Sequence, residues 1–153
     1  MNQEQGSVKP VHEMGEDERN AEREFRLAEI VSRLKASNVL VETRGDTILM
    51  GYQGLVISIY IDARDPRMII FGTAFGEGEP DLIQAILAAS KATERSFGAK
   101  ATVQGDEESY GIKISYESIY PSVDDLFSVI GFPLAFIADC RETYISERAK
   151  TSR

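Results

Sequence analysis

Two side chains of this chain would be the first candidates for nucleophilic or acid–base chemistry, His12 and Cys140, each the sole residue of its kind among 153. A catalytic base must be held by its neighbours in fixed geometry, and His12 lies in a polar stretch with nothing to hold it. Cys140 falls late in a helical segment and only Arg141 adjoins it as a base, so it reads as a half-buried structural thiol rather than a nucleophile. Metal sites of the zinc type need clustered His or Cys, and no two sit together here. Acids cluster at Glu77/Glu79, Asp106-Glu107-Glu108 and Asp124-Asp125. None follows the alternating pattern of a calcium loop, and solvated loops or a helix start account for them. Paired carboxylates for sugar cleavage would want an aromatic-lined cleft, and the chain has no Trp. The stretch Gly72–Gly78, GTAFGEG, precedes a helix but lacks a GK[ST] ending, and its glutamates repel phosphate. Arg44-Gly45-Asp46 reads as a turn. The expectation is a chain with no catalytic residue, no cofactor and no metal.

The elements that would position any site follow from periodicity. Residues 1–19 are polar and read as a mobile tail, although Glu16-Asp17-Glu18 suits a helix start. Leu27, Ile30, Val31 and Leu34 then form one helical stripe within Arg23–Ala36. The period changes after Asn38. Val39–Glu42, Thr47–Tyr52, Leu55–Asp62 and Met68–Phe75 read as three or four strands of an antiparallel meander, with turns at Gly45-Asp46, Gln53-Gly54 and Ala63–Pro66. Gly72 marks a bulge in the last.

A second helix is expected from Pro80 to Ser96 with the stripe Leu82, Ile83, Ile86, Leu87 and Ser90. Ala85, Ala88, Ala89 and Ala92 beside it permit close approach of another layer. Strands at Ala99–Gln104 and Tyr110–Glu117 follow. Ser122 and Asp125 then cap a third helix whose apolar face is Val123, Leu126, Phe127, Ile130, Leu134 and Ile137. Gly131-Phe132-Pro133 must kink or interrupt it. Past Tyr144 the chain is expected to fray. The whole reads as one α+β domain over 20–148, with 149–153 as a frayed end.

Composition narrows the partners. A formal net charge of −8 and a pI near 4.7 oppose binding to nucleic acid or to an anionic membrane, which both reward Lys and Arg. One cysteine permits no internal disulfide, and there is no long apolar run, so the chain reads as cytoplasmic. Apolar and aromatic residues Phe25, Tyr52, Val56, Tyr60 and Phe132 remain. Either they finish the core beneath the helices, or some form an exposed patch for a partner.

The order α-β-β-β-α-β-β-α is carried by VLVETRGDTILMGYQGLVISIYIDARDPRMIIFGTAF, LIQAILAASKATERSFGAKATVQGDEESYGIKISYE and SVDDLFSVIGFPLAFIADC. It resembles the YbjN family, within the group sharing the type III secretion chaperone-like fold, over Phe25 to Tyr144. The resemblance implies an antiparallel sheet with flanking helices, a homodimer, and a chaperone-like or regulatory protein that binds another protein. It carries no catalytic residues across. It implies a partner surface on the first helix and middle strands, here Phe25, Leu27, Val31, Tyr52, Val56 and Tyr60. Two other readings stand beside it. One is a small-ligand sensor or enzyme with a pocket where Tyr60, Tyr116, Arg64 and Arg67 converge. The other is a structural subunit of a larger assembly.

Overall fold

Each change of period along the chain marks a change of element in the computed structural model, which describes residues 9–76, 81–106 and 108–151. A short 3-10 turn at Val11–Glu13 leads into α1 (Glu16–Ala36). The strands β1 (Val41–Arg44), β2 (Thr47–Tyr52), β3 (Leu55–Ile61) and β4 (Met68–Gly76) come next. Then follow α2 (Leu82–Arg95), β5 (Lys100–Gly105), β6 (Tyr110–Ile119), α3 (Val123–Val129) and α4 (Gly131–Thr151). The α+β class is as the sequence implies. The strand count before α2 is four, and the last expected helix is two.

All six strands form one antiparallel sheet in the order β1-β2-β3-β4-β6-β5. Gln53 and Gly54 both adopt positive φ, 48° and 78°, which matches the two-residue turn joining β2 to β3 to the strands' own twist. Facing residues fix the two sides. Ile48, Ile59, Phe71 and Tyr116 stand opposite one another along one row, and Tyr60, Ile70 and Glu117 along the neighbouring row that faces the other way. Only the first side joins the core. Ile48, Met50, Ile57, Ile59, Ile61, Ile69, Phe71, Ile112 and Ile114 are buried there against Ile30 and Leu34 of α1, Leu126 of α3 and Ile137 and Tyr144 of α4. The register runs unbroken through Gly72, with Ser58 and Ser115 on either side, so the expected bulge is absent. A side chain there would press on Ser58 Oγ at 3.2 Å, which is why a glycine serves.

Helix α1 starts earlier than a tail through residue 19 allows. Gly15 N donates to Glu18 Oε2 at 3.1 Å, and Arg19 Nη1 reaches back to the Met14 carbonyl at 2.6 Å. Residues 16–19 are therefore helical, and 1–8 lie outside the described residues. The buried face of α1 is Arg26, Ile30 and Leu34. Arg26 is a buried cation whose guanidinium donates to the Tyr120 carbonyl at 2.9 Å, the Pro121 carbonyl at 2.6 Å and Glu22 Oε1 at 2.7 Å. Bonds from a charged donor contribute about 1.5–3 kcal/mol each, so this side chain clamps α1 to the β6–α3 connection.

Helix α2 buries its alanines and leaves its larger apolar residues outside. The Pro80 start falls outside the described residues; Asp81 caps the helix, accepting from Gln84 N at 3.0 Å. The buried residues are Ala85, Ala88, Ala89 and Ala92, while Ile83 is 69% exposed and Ile86 and Leu87 are half exposed. The reason is distance. Thr93 Oγ1 accepts from Ala101 N at 2.9 Å and donates to the Ala101 carbonyl at 3.3 Å, pulling the helix onto β5, and α4 presses on it from the side. Only methyl groups fit so close a seam.

Ser122 and Asp125 cap α3 reciprocally, as their spacing implies. Pro133 sits in the first turn of α4, where its missing N–H has no partner to lose, so the break falls at Ile130. Helix α4 then continues to Thr151 rather than fraying after Tyr144, because Tyr144, Glu147 and Arg148 are buried.

Candidate functional site

The six residues expected to bind a partner do not share one patch. Phe25 is exposed on α1, whereas Leu27, Val31 and Tyr52 pack against the core from its margin. Val56 is exposed on the helix-free side of the sheet. Tyr60 shares that side, with the Arg23 guanidinium 5.0 Å over its ring. Arg23 is itself fixed by the Ile61 carbonyl at 2.8 Å and Asp46 at 2.9 Å.

The four groups considered for a ligand pocket also stay apart. Tyr60 and Tyr116 are on opposite sides of the sheet by register. Arg64 is exposed in the β3–β4 connection, and Arg67 is engaged by Asp65 through two parallel bonds of 3.0 and 2.8 Å. That pairing holds the Asp65 carboxyl below its usual range. A recess of about 240 Å³ lies between Pro10, Met14, Arg26, Pro66 and Pro121, and its cations Lys9, Arg26 and Arg67 are each already bonded to an acid.

His12 is exposed on the 3-10 turn. Cys140 is buried, and burial pushes its thiol up from the ordinary value. Asp124 pairs with Arg33, Asp125 serves the α3 cap, and Asp106 accepts from Glu108 N and Ser109 N. Among the described residues no three His, Cys, Asp or Glu side chains gather, and no helix is long and apolar enough to cross a membrane.

What the fold does leave exposed is apolar. On the outer side of α2, Ile83, Ile86 and Leu87 project from the first two turns. The same i, i+4 row continues as Lys91 and Arg95. Both cations reach Glu147 of α4, at 3.5 and 2.6 Å, and Lys150 reaches it at 2.7 Å. The Glu147 side chain is only 3% exposed, and the bond from Lys150, then the charges of Arg95, Lys150 and Lys91, lower its pKa.

Two further apolar areas flank the fold. Phe97, Phe132 and Tyr116 surround Phe136 with ring centroids 5.8, 6.1 and 5.6 Å away, and Phe97 and Phe132 are exposed. The helix-free side of the sheet carries Leu49, Val56, Tyr60, Met68, Ile70 and Ile119, none of them in the core. Sequence reasoning found the α2 stripe and took the four alanines beside it for a close seam, and the structure buries those alanines and leaves the stripe outside. Phe97 and Glu147 gave no such signal, since each depends on which helix lies beside it.

No protein-family profile matches the sequence, and no curated protein resembles it in sequence. Solved structures do share its fold. YbjN of E. coli, described as a candidate transcription regulator, superposes with a TM-score of 0.63 at 9% identity, over 82% of this chain and 93% of that one. An uncharacterised protein from Methanothermobacter thermautotrophicus gives a TM-score of 0.60 at 14% identity, over 82% of this chain and 98% of that one. The chain has the YbjN-like fold.

Proposed function

We propose that this chain is a non-catalytic protein-binding module, cytoplasmic and homodimeric, that acts in regulation or as a chaperone by holding another protein. The observation that carries the reading is α2, whose large apolar side chains face outward while alanines fill its seam. Exposed apolar clusters of this kind on a water-soluble surface mark partner sites. If the chain regulates transcription, as is suggested for its E. coli fold neighbour, a net charge of −8 favours doing so through a protein rather than through DNA.

The helix-free side of the sheet supports the dimer. It offers Val56, Ile70 and Ile119 together with charges of both signs, Lys113 and Glu117, four residues apart on the same face of β6. A two-fold partner can set each lysine near the other copy's glutamate.

A photo-crosslinking residue at position 83 tests the binding reading in cells that make the protein. An adduct with a defined second protein, absent when the probe sits at exposed Lys35, is the expected result; no adduct from position 83 overturns it. For the dimer, solution molar mass should be twice 17.0 kDa and fall to 17.0 kDa in a Val56→Glu/Ile70→Glu variant. A wild-type chain that stays monomeric removes that part.

A further inference from the structure

The outer row of α2 changes character halfway along. Ile83 and Leu87 are apolar, Lys91 and Arg95 are basic, and the four residues repeat every fourth position, so they line one ridge about 18 Å long. Lys150 of α4 joins the basic half through its bond to Glu147. Lys91, Arg95 and Lys150 all keep more than half of their side chains exposed. Among the described residues their shared counter-charge is Glu147, and Glu94 is the acid of this end of α2. Three cations against two acids leave 3 − 2 = 1 positive charge, on a chain whose total is −8. The basic half is thus net positive by this count on an acidic chain, and it lies directly beside the exposed apolar stripe.

We infer that this ridge is the seat of an acidic amphipathic segment of a partner protein, one that sets apolar side chains on Ile83, Ile86 and Leu87 and carboxylates over Lys91, Arg95 and Lys150. The inference deepens the binding reading above and rests on it. Charge decides the occupant. A second copy is already placed on the helix-free side of the sheet by the reading above, and a basic segment would meet the cations of the ridge with like charge. A helix with apolar residues at i, i+3 and i+4 followed by acids matches both halves at once. The Glu147 carboxylate keeps Lys91, Arg95 and Lys150 gathered, so the partner finds them already arranged.

Three fluorescein-labelled 16-residue helical peptides test this by anisotropy with the full chain. One carries a leucine stripe flanked by glutamates, one the same stripe flanked by lysines, and one serines in place of the leucines with the glutamates kept. The first is expected to bind at least about tenfold more tightly than either of the others, and its binding should weaken as salt is raised. Ile83→Ser/Leu87→Ser and, separately, Lys91→Gln/Lys150→Gln should each weaken it several-fold, with circular dichroism showing that both variants stay folded. Equal binding of the lysine peptide removes the acidic partner and leaves the general binding reading intact. Equal binding of the serine peptide makes the ridge a simple anion site and overturns the inference. A wild-type dimer that the Ile83→Ser/Leu87→Ser variant dissociates assigns the stripe to a second copy, which also overturns it. If no peptide binds and position 83 yields no crosslink, both readings fall together.

Discussion

Arg95 and Glu147 meet across the seam between α2 and α4, Nη1 to Oε1 at 2.6 Å, joining a largely exposed guanidinium to a carboxylate that is almost entirely enclosed. The carboxylate must stay charged to hold its three cations, and they in turn lower its pKa below the ordinary 4.5, the bond from Lys150 first among the causes. A group with a lowered native pKa adds stability above its unfolded value and loses it as pH falls through the native one. Glu147→Gln should therefore melt below the wild type at pH 7, and the gap should close as pH drops below 4.5. Thermal melts from pH 7 to pH 3 measure this; a gap that does not depend on pH would show that the carboxylate's charge is irrelevant.

The orientation of α2 has a direct mutational readout. Ala85→Leu pushes three extra carbons into a filled seam and should cost about 1–3 kcal/mol in urea unfolding. Ile83→Ser on the outside should cost less than about 0.5 kcal/mol. The opposite ranking would mean that the large side chains face inward after all.

Removing the buried Arg26 leaves two carbonyls, Tyr120 and Pro121, without their donor. Arg26→Met should destabilise by about 3 kcal/mol, and Arg26→Lys by less, because an ammonium can reach one carbonyl but not span both. A methionine variant as stable as the parent would contradict the clamp.

Cys140 is buried, and burial raises its pKa, so its thiolate is scarce at neutral pH. Its reaction with a disulfide reagent such as Ellman's should run at least about a hundredfold slower than that of free cysteine and accelerate on adding urea. Fast labelling of the native chain would place the thiol at the surface.

Most of the fold was legible because it rests on local periods. The alternation of Leu55, Ile57, Ile59 and Ile61 fixes a strand and its buried side, and Ser122 with Asp125 fixes a helix start. Errors arose where a neighbour decided. The α2 stripe looked like a core face because Ile and Leu usually are one, yet the nearness of β5 and α4 gave that role to Ala85, Ala88, Ala89 and Ala92. Arg26 reads as a surface charge in sequence, since the carbonyls it bonds lie some 94 residues away. The candidate site was accordingly less legible than the fold: Glu147 and Lys150, which gather its cations, belong to α4 and meet α2 only after folding.

The position of β6 between β4 and β5 shapes how the chain must assemble as it is made. Strands β1 to β4 pair with sequence neighbours and can zip up in order, whereas β4 waits for Tyr110–Ile119, which arrive only after α2 and β5. During synthesis β4 is thus a nine-residue unpaired edge, apolar on both faces at Met68, Ile69, Ile70 and Phe71. That interval is when the chain is most open to strand addition by another molecule. It ends when β6 pairs along the whole length of β4.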